Sequence, residues 1–347
     1  PFFCQLEAVE TAIWLTEVAR RPRSDKDPKN YTRDERVWAH LLNANAEANP
    51  EILRLAMKMA TGAGKTTVMA MLIAWQALNA VRTQSSKTFS RGFLIVTPGI
   101  TIKDRLRVLQ PEDPDNYYKT RDIVPPELIG DIGKAKIVIT NYHAFKRRET
   151  MDVSKVGRSL LQGRDAPPDT IESEGEMLRR ACGDLLALKD VVVLNDEAHH
   201  CYREKPQSDE DADLAAEDKK EAKENNEAAR LWISGIEALN RKVGVRTVFD
   251  LSATPFFLSG SGYAEGTLFP WVVSDFSLID AIECGIVKLP RVPVADNQVG
   301  STDTPIYRDL WKHIGKRMPK KGAGKSGDID PLSIPNELRT ALHALYG

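Results

Sequence analysis

The stretch Ile52-Leu53-Arg54-Leu55-Ala56-Met57-Lys58-Met59-Ala60-Thr61-Gly62-Ala63-Gly64-Lys65-Thr66 runs an apolar segment into a glycine turn, and then into a Lys-Thr pair that opens a helical pattern reaching Val81. A phosphate chain needs that order of parts. It asks for closely spaced backbone N–H groups, a helix N-terminus directed at the anion, and no Cβ where the backbone must come near. Gly62 and Gly64 meet the last condition. Lys65 is placed to reach the β- and γ-phosphates as a point charge and the Thr66 hydroxyl to ligate Mg²⁺, with Thr61, Gly62, Ala63, Gly64 and Thr67 completing a nucleotide cradle. The general pattern has a glycine five positions before the second Gly, where this chain has Met59. A second match, Gly324-Lys325-Ser326, has no apolar run before it and no periodic helix after it, so it reads as a decoy.

Working outward, the run Ile52 to Met59 is one of five, the others being Phe93 to Thr97, Lys136 to Thr140, Val191 to Asn195 and Thr247 to Leu251. Several are apolar throughout, as in a parallel sheet covered by helices on both faces. Helical patterns lie between them: Lys65 to Val81, Thr101 to Leu109, Glu176 to Leu188 and Glu227 to Lys242. Strands alternating with helices predict a doubly wound α/β domain. Ahead of the first run, Gln5 to Ala19 reads as a helix and Arg20 to Arg36 as a charged, proline-containing loop. A charged insertion spans about 203–226, and Gly315 to Lys325 reads as a linker or basic loop. The first domain is expected to end near Pro290.

The fourth run leads into Asp196-Glu197-Ala198-His199. Carboxylates at the carboxyl end of a parallel strand lie on the edge where such sheets bind ligands. Asp196 is the candidate Mg²⁺ holder, Glu197 the group that orients or deprotonates an attacking water, and His199 a relay. Ser252-Ala253-Thr254 closes the fifth run with two small hydroxyl residues, suited to hydrogen-bond that histidine and report the nucleotide state. His199-His200-Cys201 offers no zinc spacing, because adjacent residues rarely converge on one tetrahedral ion.

Composition bounds the rest. With 48 Lys and Arg against 49 acidic residues, the chain lacks the overall basic charge of a nucleic-acid binder, so DNA contacts are expected from local patches. The four cysteines are far apart and form no CxxC pair, which suggests neither a disulfide framework nor a zinc cluster and fits a reducing, cytoplasmic setting. No run approaches the ~18–20 apolar residues of a membrane span, so no membrane partner is expected. The chain opens on Pro1 rather than Met, which points to an upstream piece.

Taken together, ATGAGKT, DEAH and SAT, each closing an apolar run and in this order, resemble motifs I, II and III of superfamily 2 helicases and translocases. Gln5, in PFFCQLEAVETAIWL, stands where that family carries the glutamine that reads adenine. Thr97-Pro98-Gly99 with Thr101 to Leu106 resembles motif Ia, and Thr140-Asn141-Tyr142-His143 the next strand-end motif. Both imply contacts to the sugar-phosphate backbone, with Lys103, Arg105 and Arg107 as phosphate partners. The segment from Phe269 to Lys288 is similar to the sequence after motif III in Res subunits of type III restriction enzymes, and the resemblance covers Gln5 to about Pro293.

The resemblance implies a RecA-like P-loop NTPase fold over residues 1–290, with 291–347 a linker and the start of a second motor domain. It implies ATP and Mg²⁺ as ligands, duplex DNA as partner, a modification or specificity subunit, and a second motor domain and nuclease in the full-length protein. Motifs IV to VI, an arginine-finger segment and a PD…ExK signature are not found after residue 290. The isolated chain is therefore expected to bind ATP and hydrolyse it slowly, unless Arg317 or another basic residue supplies the finger. Alternatives are a general superfamily 2 DNA or RNA helicase, a P-loop kinase, which should carry a substrate lid in place of SAT, and a non-hydrolysing scaffold, which the intact Lys65, Asp196 and Glu197 oppose.

Overall fold

Strands form where β-branched and aliphatic residues run together, and six of them join one sheet in a computed structural model of the chain. The structure describes residues 1–23, 26–148, 171–205, 216–288, 310–318 and 333–346. The strands are β1 (Arg54–Met59), β2 (Gly92–Thr97), β3 (Lys136–Asn141), β4 (Val191–Asp196), β5 (Val245–Ser252) and β6 (Val272–Phe276). They lie in the order β3-β2-β4-β5-β1-β6, and every neighbouring pair is parallel. All six carboxyl ends therefore share one edge.

Successive side chains of a strand point to opposite faces, so a strand apolar throughout must be covered on both. Phe93 and Ile95 of β2 enter one apolar cluster, while Leu94 and Val96 enter the other; Val192 and Leu194 of β4 part from Val191 and Val193 in the same way. Helices α1 (Phe3–Ile13), α2 (Arg33–Ala48) and α3 (Lys65–Arg82) supply Val9, Trp38 and Leu72 to the first cluster. Helices Glu174–Cys182 and Ala216–Val243 supply Leu178 and Trp232 to the second. Each such side chain fully removed from water contributes about 1.5–3 kcal/mol.

Within this apolar sandwich lies a buried polar centre. The Arg54 guanidinium donates from Nε to Asp250 Oδ2 at 2.8 Å, and both side chains are fully buried. Trp271 Nε1 and Asn195 Nδ2 also donate to the Asp250 carboxylate, at 2.9 and 2.8 Å, and Trp232 Nε1 donates to Asn195 Oδ1 at 3.0 Å. A charge this deep is tolerated because its partner is equally deep, and removing either one costs about 3–5 kcal/mol. The network ties the first residue of β1 to the carboxyl-terminal halves of β4 and β5.

Several elements depart from the sequence reading. Helix α2 begins inside the expected loop Arg20 to Arg36, started by a capping box in which Thr32 Oγ1 accepts the Glu35 N–H and Glu35 accepts the Thr32 N–H. The proline and the charges of that segment hid the start. Helix α1 stops at Ile13, followed by a π turn, Trp14–Val18. The pattern from Glu227 to Lys242 belongs to a longer helix, Ala216–Val243, which takes in the end of the charged insertion; residues 206–215 lie outside the described residues. Strand β6 has no strong apolar run, because it pairs on one side only, with β1. Strand β1 starts at Arg54, two residues later than expected, and β5 extends two residues earlier, to Val245.

The chain divides into two compact units, Pro1–Val287 and Lys288–Gly347. Within the second, Arg317 donates to Glu337 Oε1 at 2.7 Å, between a turn at Gly315–Arg317 and helix Asn336–Tyr346. Pro290 and the decoy Gly324-Lys325-Ser326 lie outside the described residues. No described helix is long and apolar enough to cross a membrane.

Candidate functional site

Strand β1 delivers the chain to the carboxyl edge at Met59, and the turn that follows needs backbone geometry that only glycine adopts freely. Gly62 and Gly64 have φ of +86° and +87°. At Gly64 there is a second reason, since a Cβ would collide with the Gln5 side-chain amide. Gly64 caps α3, whose first N–H groups have no acceptor within the helix. Thr67 and Val68 turn back to the Gly64 carbonyl, at 2.9 and 3.3 Å, leaving Lys65 and Thr66 at the mouth of the turn, both half-buried. Ala63 is buried, while Thr61 and Gly62 are exposed. Thr67 is buried on the other side of α3 and lines a separate cavity beside Gln5.

The acidic box ends β4, two strands away across β5. Asp196 is the strand's last residue, and Glu197 turns the chain with φ +52°, a left-handed conformation uncommon for a side chain with a Cβ. That turn sets Glu197 Oε1 3.0 Å from Lys65 Nζ, so two residues distant in sequence meet in one cleft. His199 Nδ1 lies 2.9 Å from Ser252 Oγ and 3.6 Å from Glu197 Oε2. Ser252 Oγ also accepts the Thr254 N–H at 3.1 Å, so a serine hydroxyl donating to Nδ1 satisfies both groups. Ala253 is half-buried, and Thr254 is exposed.

Burial sets the electrostatics of Asp196 and of the two histidines. Burial, reinforced by the charge of Glu197, pushes Asp196 up to about 6. Burial beside His200 pulls His199 down to about 4, so the ring is neutral near pH 7. Burial likewise lowers His200.

The residues present suit Mg²⁺. A buried carboxylate with raised affinity for a proton, next to a second carboxylate, is a hard oxygen set of the kind that suits a small divalent cation. Among the described residues no group of three or more His, Cys, Asp and Glu converges as an all-protein cage. Mg²⁺ does not require one, because it is usually held by one or two carboxylates together with substrate phosphates. Cys201 is fully buried, its Sγ facing Asn195 Nδ2 at 3.8 Å.

At the far end of the same edge, β2 and β3 run in register, Thr97 beside Asn141. Thr97 is fully buried, and its hydroxyl donates to Gly99 O at 2.9 Å, so the side chain shapes the Pro98–Gly99 turn and does not face outward. Thr140 is also buried; Asn141 Oδ1 accepts the Ala144 N–H at 3.2 Å. Lys103 falls in helix Ile100–Arg105. Arg105 is exposed, whereas Arg107 lies 3.5 and 3.6 Å from Asp113 and Asp115.

Three features were missed from sequence. Lys146, Arg147 and Arg148 form an exposed basic run just after the β3 end, and its clustering was there to be read. Tyr117 and Arg121 line, with Gln5 and Thr67, a cavity of about 880 Å³, brought there by folding alone. The Arg54–Asp250 pair was hidden because each residue reads as an isolated charge in an apolar run.

Among known families, the model of the type III restriction enzyme, res subunit, matches residues 5–257. No curated protein matches the chain.

Proposed function

The chain belongs to the type III restriction enzyme res subunit family and is a helicase-like NTPase of the superfamily 2 kind with a RecA-like α/β fold; from that membership and the geometry of the edge, we propose that it is the ATP-binding and ATP-hydrolysing motor domain of a type III-like restriction endonuclease. The observation that carries this reading is the meeting of Lys65 Nζ and Glu197 Oε1 at 3.0 Å, which joins the phosphate turn and the acidic box in one cleft.

In this reading the Gly62–Thr66 turn and the N-terminus of α3 hold the phosphate chain, and Lys65 moves its charge from Glu197 to the β- and γ-phosphate oxygens. Thr66 and Asp196 are the residues that would hold Mg²⁺, which when bound neutralises charge on the β- and γ-oxygens. Glu197, freed from Lys65, orients a water and accepts its proton as the water oxygen bonds to the γ-phosphorus. The bond from that phosphorus to the β,γ-bridging oxygen breaks, and ADP leaves with the electron pair. Neutral His199 links the carboxylate to Ser252, the end of β5, so a change at the phosphates reaches the chain that follows. The β2–β3 end, with Gly99, Lys103, Asn141 and the basic run Lys146–Arg148, is the face proposed for a DNA backbone.

The test is steady-state ATPase of the chain with and without duplex DNA, single-stranded DNA and RNA. ATP binding in the micromolar range with slow Mg²⁺-dependent turnover supports the proposal. Absence of ATP binding rejects it. Strong stimulation by RNA alone would favour a general superfamily 2 helicase, and strong stimulation by duplex DNA would place an arginine finger within residues 1–347.

A further inference from the structure

The exposed basic run Lys146–Arg148 follows the β3 end outside any helix or strand, and three of its backbone groups are fixed by two residues distant in sequence. The Lys146 carbonyl accepts from Arg180 Nη2 at 2.9 Å. The Arg148 N–H donates to Glu172 Oε2 at 3.1 Å, and the Arg148 carbonyl accepts the Glu172 N–H at 2.8 Å. Just ahead of the run, the Ala144 carbonyl accepts from Arg180 Nη1 at 2.9 Å.

Arg180 and Glu172 also hold each other. The guanidinium donates from Nε to Glu172 Oε1 at 2.9 Å and from Nη2 to Oε2 at 2.7 Å, a bidentate pair. Four of the five guanidinium N–H groups are thus engaged with the protein. Glu172 is buried and Arg180 half-buried. The hydrogen bonds from Arg180 hold the Glu172 carboxyl down, at about 2, so the pair is charged at neutral pH. Arg180 stands on the helix Glu174–Cys182, which a capping box at Ser173 starts and which buries Met177 and Leu178, so the anchor belongs to a packed element.

The cations therefore divide into two kinds. The charge of Arg180 is matched by a buried carboxylate, whereas Lys146, Arg147 and Arg148 keep exposed side chains. Arg147 approaches Glu174 at 3.8 Å, in an exposed pair that salt screens. Resting on the DNA-face reading above, we infer that Arg180 and Glu172 are positioning residues for that face. They hold the backbone of residues 144–148 so that the three exposed cations meet a nucleic-acid backbone together, and they touch no phosphate themselves. An acidic residue is then needed to bind a polyanion, which charge alone would oppose.

The experiment is fluorescence anisotropy of a labelled mixed-sequence DNA duplex titrated with the full chain over a range of salt, because the slope of log affinity against log salt counts the phosphates engaged. Lys146→Ala, one contact, sets the scale at about 0.9 in slope. Glu172→Gln removes a negative charge, and should nevertheless weaken DNA by about five- to tenfold at ~0.1 M salt and lower the slope by about 1. Arg180→Ala should lower the slope by about 2, more than one lost charge can. Arg180→Lys keeps the charge and loses the planar fork. It should resemble Arg180→Ala, and it replaces that variant if Arg180→Ala does not fold by thermal melting. Tighter or unchanged DNA binding by Glu172→Gln, or native binding by Arg180→Lys, overturns the inference. Failure of the DNA-face reading looks different: joint replacement of Lys146, Arg147 and Arg148 by alanine would then leave affinity and slope unchanged.

Discussion

The β4–β5–β1 end of the carboxyl edge and the β2–β3 end are built from similar residues joined in different ways. At the first, polar side chains bond across long sequence separations: Lys65 to Glu197, His199 to Ser252, and Gln5 to the Ala63 carbonyl. At the second, Thr97 bonds to the Gly99 carbonyl and Asn141 to the Ala144 N–H within their own loops, and one distant side chain, Arg180, donates to the Ala144 and Lys146 backbone carbonyls at 2.9 Å each. Long-range bonds couple the first end, because each joins groups that belong to different strand ends or to the N-terminal helix. Loop-local bonds, with Arg180 and Glu172 fixing the backbone that follows, make the second end a surface whose exposed charge lies a few residues further on, at Lys146–Arg148.

If that contrast is right, substitutions at the two ends should differ in kind. The largest effect is expected for Glu197→Gln, which keeps size and hydrogen bonding but loses the base. Turnover should fall by about 10²–10⁴ with ATP binding retained, measured by single-turnover hydrolysis beside calorimetry; retained turnover would mean that another group positions the water. Next comes Lys65→Ala, which should weaken ATP by about 1.5–3 kcal/mol, the worth of hydrogen bonds to a charged group. Equal affinity in the two proteins would remove the phosphate-turn assignment.

Asp196→Asn should move stability and activity in opposite directions. The fold raises the Asp196 carboxyl from its ordinary 3.8 to about 6, so the folded chain prefers it protonated and loses stability as pH rises between those values. The variant should therefore melt higher than the native chain above about pH 6, by roughly 2–4 °C for each kcal/mol relieved, with the gain vanishing below pH 3.8. Its Mg²⁺-dependent hydrolysis should be lost. In the native chain Mg²⁺ and the proton compete for this carboxylate, so at limiting Mg²⁺ hydrolysis should rise with pH, with a midpoint that falls as Mg²⁺ is raised. A variant that melts lower at every pH would show that Asp196 has a structural role outweighing its burial.

The smallest effects belong to the far end. Asn141→Ala removes a local cap and should cost about 0.5–2 kcal/mol of stability without altering ATP affinity. Lys146→Ala should weaken DNA of any sequence slightly and reduce the salt slope of binding by about 1. A large loss of ATP binding from either would break the division of the edge.

Much of the geometry of the proposed nucleotide end was legible because its motifs are written in consecutive residues. Thr61 to Thr66 needs only its own backbone and the helix it opens, and Asp196 to His199 only the strand before it. The α/β architecture was legible for a related reason. Apolar runs with no alternation demand cover on both faces, which an alternating strand–helix order supplies. Elements whose signal is weak in isolation were harder to read: α2 starts among charges beyond Pro28, and β6 borrows its order from β1.

By itself, then, the sequence determined that the residues proposed for the phosphate chemistry stand at strand ends and at the start of α3, because glycine conformation, helix capping and strand periodicity are local properties of the chain. Only the tertiary structure decided which ends are neighbours. The order β3-β2-β4-β5-β1-β6 sets the acidic box two strands from the phosphate turn and brings Ser252 to His199 between them. It also decided that Arg54 faces Asp250, that Gln5 closes on Ala63, and that Tyr117 and Arg121 share a cavity with it. These pairings join residues far apart in sequence, so their stability depends on burial and on partners that appear only once the chain has folded.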